Sequence, residues 1–166
     1  MQTIEITLDL NEIIYDIQNK TFLTGKSRRD DSNHELVAVM QANDDDENAN
    51  QILRSISMAY ATLKTKLAEY LHLNSSEADN TLLSPASPLY LSLQMPSNYN
   101  LSTLDTVTAA AHQFIVASSV VDWFTITHKT DAPEYASLAQ TSLKIMIEAI
   151  SRRVRPIRRS AKGVQS

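Results

Sequence analysis

Residues 52–71 read ILRSISMAYATLKTKLAEYL, and within them Ile52, Ile56, Tyr60, Leu63, Leu67 and Leu71 recur at steps of 4, 4, 3, 4 and 4. That rhythm places the large apolar side chains on one stripe of an α-helix and leaves Lys64, Lys66 and Glu69 largely off it. The helix is predicted over about Asn48 to His72. A stripe of this length must be covered by other elements, so the segments on either side decide how the chain closes on itself.

Ahead of the helix stands the acidic run Asp44-Asp45-Asp46-Glu47. Asp44, Asp46, Asn48 and Asn50 are oxygen ligands at two-residue spacing, which suggests a calcium loop. An EF-hand loop needs glycine at its sixth position and glutamate at its twelfth, where this chain has Ala49 and Ser55. Carboxylates that cap exposed amides and complement the helix dipole are the preferred reading.

Further towards the N-terminus, residues 3–10 alternate apolar and polar, with Ile4, Ile6, Leu8 and Leu10 on one face, the period of a half-buried strand. Asn11 is read as the cap of a short helix through Lys20, with Ile13, Ile14 and Ile17 facing inward. Residues 21–46 lose this periodicity and are expected to form a loop, with a short apolar piece at Leu36 to Met40.

Beyond the polar linker Asn74 to Asn80, Leu89, Leu91, Leu93 and Met95 alternate with polar or amphipathic neighbours and make a second strand, whose natural partner is the first. Ser102 with Asp105 resembles a capping box and opens a helix to about Thr125; its broad apolar surface, including Ile115, Val116, Val120, Trp123 and Phe124, marks it as the central one. Asp131 with Glu134, and Pro133 in the first turn, start a last helix. It carries Tyr135, Leu138, Ala139, Leu143, Met146, Ile150 and Val154 inward before Pro156 breaks it. The expectation is a mainly α (α+β) protein: a bundle of about four helices with a small two-stranded β element in a single domain over 1–155, followed by a basic C-terminal arm over 156–166.

At 166 residues and 43% hydrophobic, the chain can bury one substantial core. With no cysteine, there is no disulfide framework, thiol nucleophile or thiolate metal site. Two glycines, Gly25 and Gly163, leave no P-loop or dinucleotide-binding turn in its usual form. The histidines, His34, His72, His112 and His128, lie in four separate segments, and no zinc-binding pair occurs. His112 is read as a hydrogen-bonded core or interface histidine. Trp123-Phe124 is read as core rather than as an aromatic clamp, because large rings at the end of an amphipathic helix usually supply buried area. No catalytic residue, cofactor site or metal site is assigned, and the chain is not expected to be an enzyme.

The N-terminus has Glu5 where a signal peptide would have a basic cap, and Val107 to Ile126 includes His112, Gln113 and Asp122, which makes membrane insertion costly. The net charge of -4 is unevenly placed. Residues 149–166 hold six basic residues and no acid, for +6, whereas residues 1–148 hold nine basic and nineteen acidic residues, for -10. Arg152, Arg153 and Arg155 are expected in the last helical turn and Arg158 and Arg159 on an arm beyond Pro156, all five as partner-binding residues. The arm would lie on the acidic surface of a neighbouring copy or on nucleic acid, and the acidic body disfavours DNA.

Several residue clusters, in order along the chain, resemble a family of small proteins from phages and prophages of Bacteroidota-type bacteria, encoded near virion structural genes. Those proteins open on a Thr-Ile-Glu-Ile-Thr-Leu strand, matched by Ile4 and Ile6, and continue into a Thr-x-x-x-Gly-Lys turn, matched by Thr21, Gly25 and Lys26. A later Trp-Phe-x-Ile-Thr-x-Lys segment corresponds to Trp123, Phe124, Ile126, Thr127 and Lys129. Ala132 and Tyr135 sit at the start of the last helix, and Arg152, Arg153, Arg155 and Pro156 form the Arg-rich, Pro-interrupted end.

The resemblance implies a virion component of the neck or tail, such as a head-to-tail adaptor or tail-completion protein, assembled in the host cytoplasm. The partners it implies are copies of the chain in a ring and portal or other neck and tail proteins. Charge adds the alternative of a small regulatory or nucleic-acid-binding module that uses the Arg-rich C-terminus.

Overall fold

The computed structural model describes residues 1–72 and 77–157. Arg158, Arg159 and Lys162 lie outside the described residues, as do Asn74 to Ser76 of the expected linker. The described elements are β1 (Gln2–Leu8), α1 (Leu10–Ser27), α2 (His34–Met40), α3 (Asp46–Lys66), β2 (Leu89–Met95), a 3-10 turn (Leu101–Thr103), α4 (Leu104–Thr127) and α5 (Ala132–Ile150). The chain is mainly α with a small two-stranded antiparallel sheet, and it has five helices among the described residues.

The two strands pair with Ile4 opposite Leu93, Ile6 opposite Leu91 and Leu8 opposite Leu89, so the apolar alternation of both falls on one buried face. The far edge of β2 is closed by the chain leaving α3. The His72 amide donates to the Ser92 carbonyl at 2.9 Å, and the Gln94 amide to the Tyr70 carbonyl at 2.6 Å.

This departure also accounts for the end of α3. The helix stops at Lys66 rather than His72, and Leu71 bridges Leu93 instead of adding another turn.

Helix α4 packs against each of the other four helices and against β1. Apolar and small residues are buried all round it, from Val107 and Ala111 to Val120 and Phe124, the pattern of a central helix. Leu101–Thr127 is long and apolar enough to cross a membrane by length and composition; in this fold it forms the middle of the core.

Three further boundaries differ from the sequence reading. Asp9, not Asn11, caps α1, and its carboxylate accepts from the amides of Asn11 at 2.8 Å and Glu12 at 3.4 Å. The helix then runs past Lys20 to Ser27, so residues expected in a loop, and the Thr21, Gly25 and Lys26 turn with them, are helical.

Thr21 and Gly25 continue the buried series Leu10, Ile13 and Ile17, and that face meets α2. A Cβ placed on Gly25 would stand 3.3 Å from the Val37 carbonyl oxygen, so glycine here permits close approach of two helices.

The third departure is in α5, which ends at Ile150 instead of continuing to Pro156. The stop is made by pairing rather than by proline. The Asn100 amide donates to the Arg152 carbonyl at 3.1 Å, and the Val154 amide donates to the Asn98 carbonyl at 2.8 Å. Residues 152–154 therefore leave the helix to run beside 98–100, with Tyr99 and Arg153 as a bridge.

Candidate assembly surfaces

The end of α5 controls what the basic residues can do. Arg152, Arg153 and Arg155 lie beyond the last helical turn, contrary to expectation, because the chain turns off at Ser151. Arg153 is half-buried, and its Nη1 donates to the Ile150 carbonyl at 3.0 Å, which caps the helix end. Arg152 pairs with Glu148 one turn back. Two of the cations are thus committed to contacts within their own chain. Arg155 is exposed, as are Val154 at 53% and Ile157 at 91%.

Near the opposite end of α4 a groove of about 540 Å³ opens between α2, the start of α3 and the last turn of α4. Ala38, Val39, Trp123 and Ile126 give it an apolar wall, and side-chain amides of Gln41, Asn43, Asn48 and Gln51 line its remainder. Val39 and Ile126 are 58% and 65% exposed, so apolar surface continues onto the rim.

Trp123 forms the floor. Its ring is buried and its Nε1–H donates to the Met40 carbonyl at 2.8 Å, which ties α4 to α2. The ring is core, as read from the sequence, and the residue also lines the groove.

The acidic run forms part of the surroundings. Asp44, Asp45, Asp46 and Glu47 are exposed, between groove residues Asn43 and Asn48. Asp45 stands at the cap position of α3 without a side-chain capping bond, while Asp46 and Glu47 occupy the first turn and favour the helix dipole. Asp44 instead accepts from Gln18 Nε2 at 2.6 Å.

Two polar clusters could not be read from spacing. His112 Nε2 lies 2.7 Å from Asp16 Oδ2, across a separation of 96 residues, beside a cavity of about 600 Å³ that Asp9, Glu12 and Asp105 also line. Among the described residues no group of three or more His, Asp or Glu side chains is arranged to hold a metal ion.

Asp131, taken from the sequence as a helix cap, makes no side-chain capping bond. Its buried carboxylate accepts from Arg28 Nη2 at 2.6 Å and faces His128 Nδ1 at 2.8 Å. The Arg28 guanidinium is held above its ordinary pKa by that hydrogen bond and by the charge of Asp131. The cluster joins the end of α1 to the α4–α5 turn and leaves no open face for a substrate, since the Asp131 carboxylate is enclosed.

The chain matches no protein-family model, no curated protein and no solved structure.

Proposed function

We propose that the chain is a structural component of a phage virion, in the neck or tail, that acts by protein–protein assembly as a head-to-tail adaptor or tail-completion protein. The observation that carries this reading is the exposed segment Val154–Ile157. Once residues 152–154 have been pinned beside 98–100, Arg155 and Ile157 stand clear of the body. A cation and a large apolar side chain presented together suit a protein surface.

The charge layout supports the same reading. A stretch of +6 on a body of -10 makes identical copies complementary head to tail, and such heterologous contacts close into rings when the rotation per step permits. The resemblance to virion-associated phage proteins supplies the setting: a particle assembled in the host cytoplasm, with portal or other neck and tail proteins as further neighbours. The proposed role is non-catalytic and needs no cofactor.

The test is to purify the particle encoded with this chain and probe it for the protein, alongside light scattering of the isolated chain over a range of salt. The proposal expects the chain in the particle, and weak self-association that falls as salt screens the ion pairs. A chain absent from particles that binds duplex DNA with a steep salt dependence would replace the proposal with the nucleic-acid-binding alternative.

A further inference from the structure

We infer that the groove lined by Ala38, Val39, Trp123 and Ile126 receives the Val154–Ile157 segment of a neighbouring copy. This rests on the head-to-tail reading above and gives it an address. The groove and the segment belong to opposite ends of α4. Thr103, just before the helix, donates its hydroxyl to the Ala149 carbonyl at 3.0 Å, and Asn100 and Asn98 hold Arg152 and Val154, so the exit of the tail is fixed at the N-terminal end of α4. Trp123, Ile126 and Thr127 lie at the C-terminal end.

The helical rise between Thr103 and Trp123 is about 30 Å. From Val154, still bonded to Asn98, the chain to Ile157 can extend only about 10 Å. A molecule cannot place Ile157 in its own groove. A second copy can, and the same contact then repeats from copy to copy.

Chemistry on the two sides matches. Val154 and Ile157 offer two apolar side chains, and Pro156 between them fixes its own φ and biases Arg155 towards an extended conformation. A segment restrained in this way loses less entropy on docking. Val39 and Ile126 provide the apolar wall. Asn48 already donates to Asn43 and Gln51 to Ser55, and the side-chain amide of Gln41 with the remaining donors and acceptors of Asn48 and Gln51 can pair with an incoming extended backbone.

Arg155 would arrive beside the exposed carboxylates of Asp44 to Glu47, with Asp122 one helical turn before Ile126. Charge thus orients the contact while the apolar groove holds it. Arg152 and Arg153 remain occupied within their own chain.

The absence of cysteine makes the test direct. Two full-length chains, V39C and I157C, are mixed under mild oxidation, and formation of the disulfide-linked heterodimer is timed. The control replaces V39C with M58C, at a position on α3 that is also exposed but is not a groove residue. The V39C pair should cross-link at least about tenfold faster than the control, as the raised effective concentration of a docked pair requires. Adding I126D to the V39C chain should abolish the advantage; all four substituted side chains are exposed, so the fold is retained.

Equal rates for V39C and M58C would overturn the assignment of the groove. If the chain is found in the particle and still self-associates in that case, the head-to-tail reading stands and only its address is wrong. If the chain is also missing from particles, both fall.

Discussion

Asp131 shows how one carboxylate can secure a junction between three segments. It is 1% exposed, a position where an unpaired charge would be very costly, and it persists because Arg28 donates to it and His128 faces its second oxygen. D131A should lower stability by about 1.5–3 kcal/mol, the range for hydrogen bonds to a charged group, as read from denaturant unfolding. Unfolding at the parent midpoint would show that the junction carries no weight.

Trp123 is the corresponding apolar anchor. W123A should lose about 3–5 kcal/mol, because the ring fills core and its N–H satisfies the Met40 carbonyl. The phenylalanine variant should recover most of the packing but not the bond. A W123A protein as stable as the parent would show that the ring is not part of the core.

At the scale of elements, helix contacts made by small or polar residues were the part hidden from the sequence. The stripes of α3 and α4 and the alternation of both strands were legible, because large apolar residues announce their own period. Sequence pattern ends α1 at Lys20 because Thr21 and Gly25 do not look like core residues. They continue the four-residue step from Ile17, and each is suited to its place. The Thr21 hydroxyl donates to Gln18 and accepts from the Ala42 amide at 3.1 Å, and Gly25 admits the backbone of α2.

G25V should therefore destabilise by about 1–3 kcal/mol through overpacking against Val37 and Met40. G25A should be milder, since the gain in helix propensity opposes a contact that is tight by only a few tenths of an ångström. Thermal melts of the pair check the order, and a G25V protein that melts with the parent would remove the close-approach argument.

The end of α5 at Ile150 is hidden from the sequence for a related reason. Pro156 is an obvious breaker, but the backbone pairing with Asn98 and Asn100, which acts earlier, depends on contacts more than 50 residues away in sequence. The candidate site was half legible. The arginines were visible as a charge run, whereas the groove exists only where α2, α3 and α4 meet, and no spacing encodes it.

For the molecule as a whole, the C-terminal segment divides at Val154. Up to that residue it is hydrogen-bonded to the 98–100 stretch, while Arg155 and Ile157 are exposed. A chain truncated after Arg155 should melt at the parent temperature, and one truncated after Ser151 should melt lower because it loses those backbone bonds; a calorimetric scan of the two reports the difference. If the longer truncate also melts early, the residues beyond Arg155 contribute to the body and are not available to a neighbour.

The opposite placement of tail and groove on α4 then sets the molecular logic, in which each copy would offer the tail at one end and the groove at the other. Cryo-EM of the assembled particle tests this most directly. The account predicts a closed array of this chain in the neck or tail, with the Arg155 to Ile157 segment of each subunit on the next subunit's α2–α3–α4 groove. A particle that lacks the chain, or contains it with that segment touching no other subunit, would contradict it.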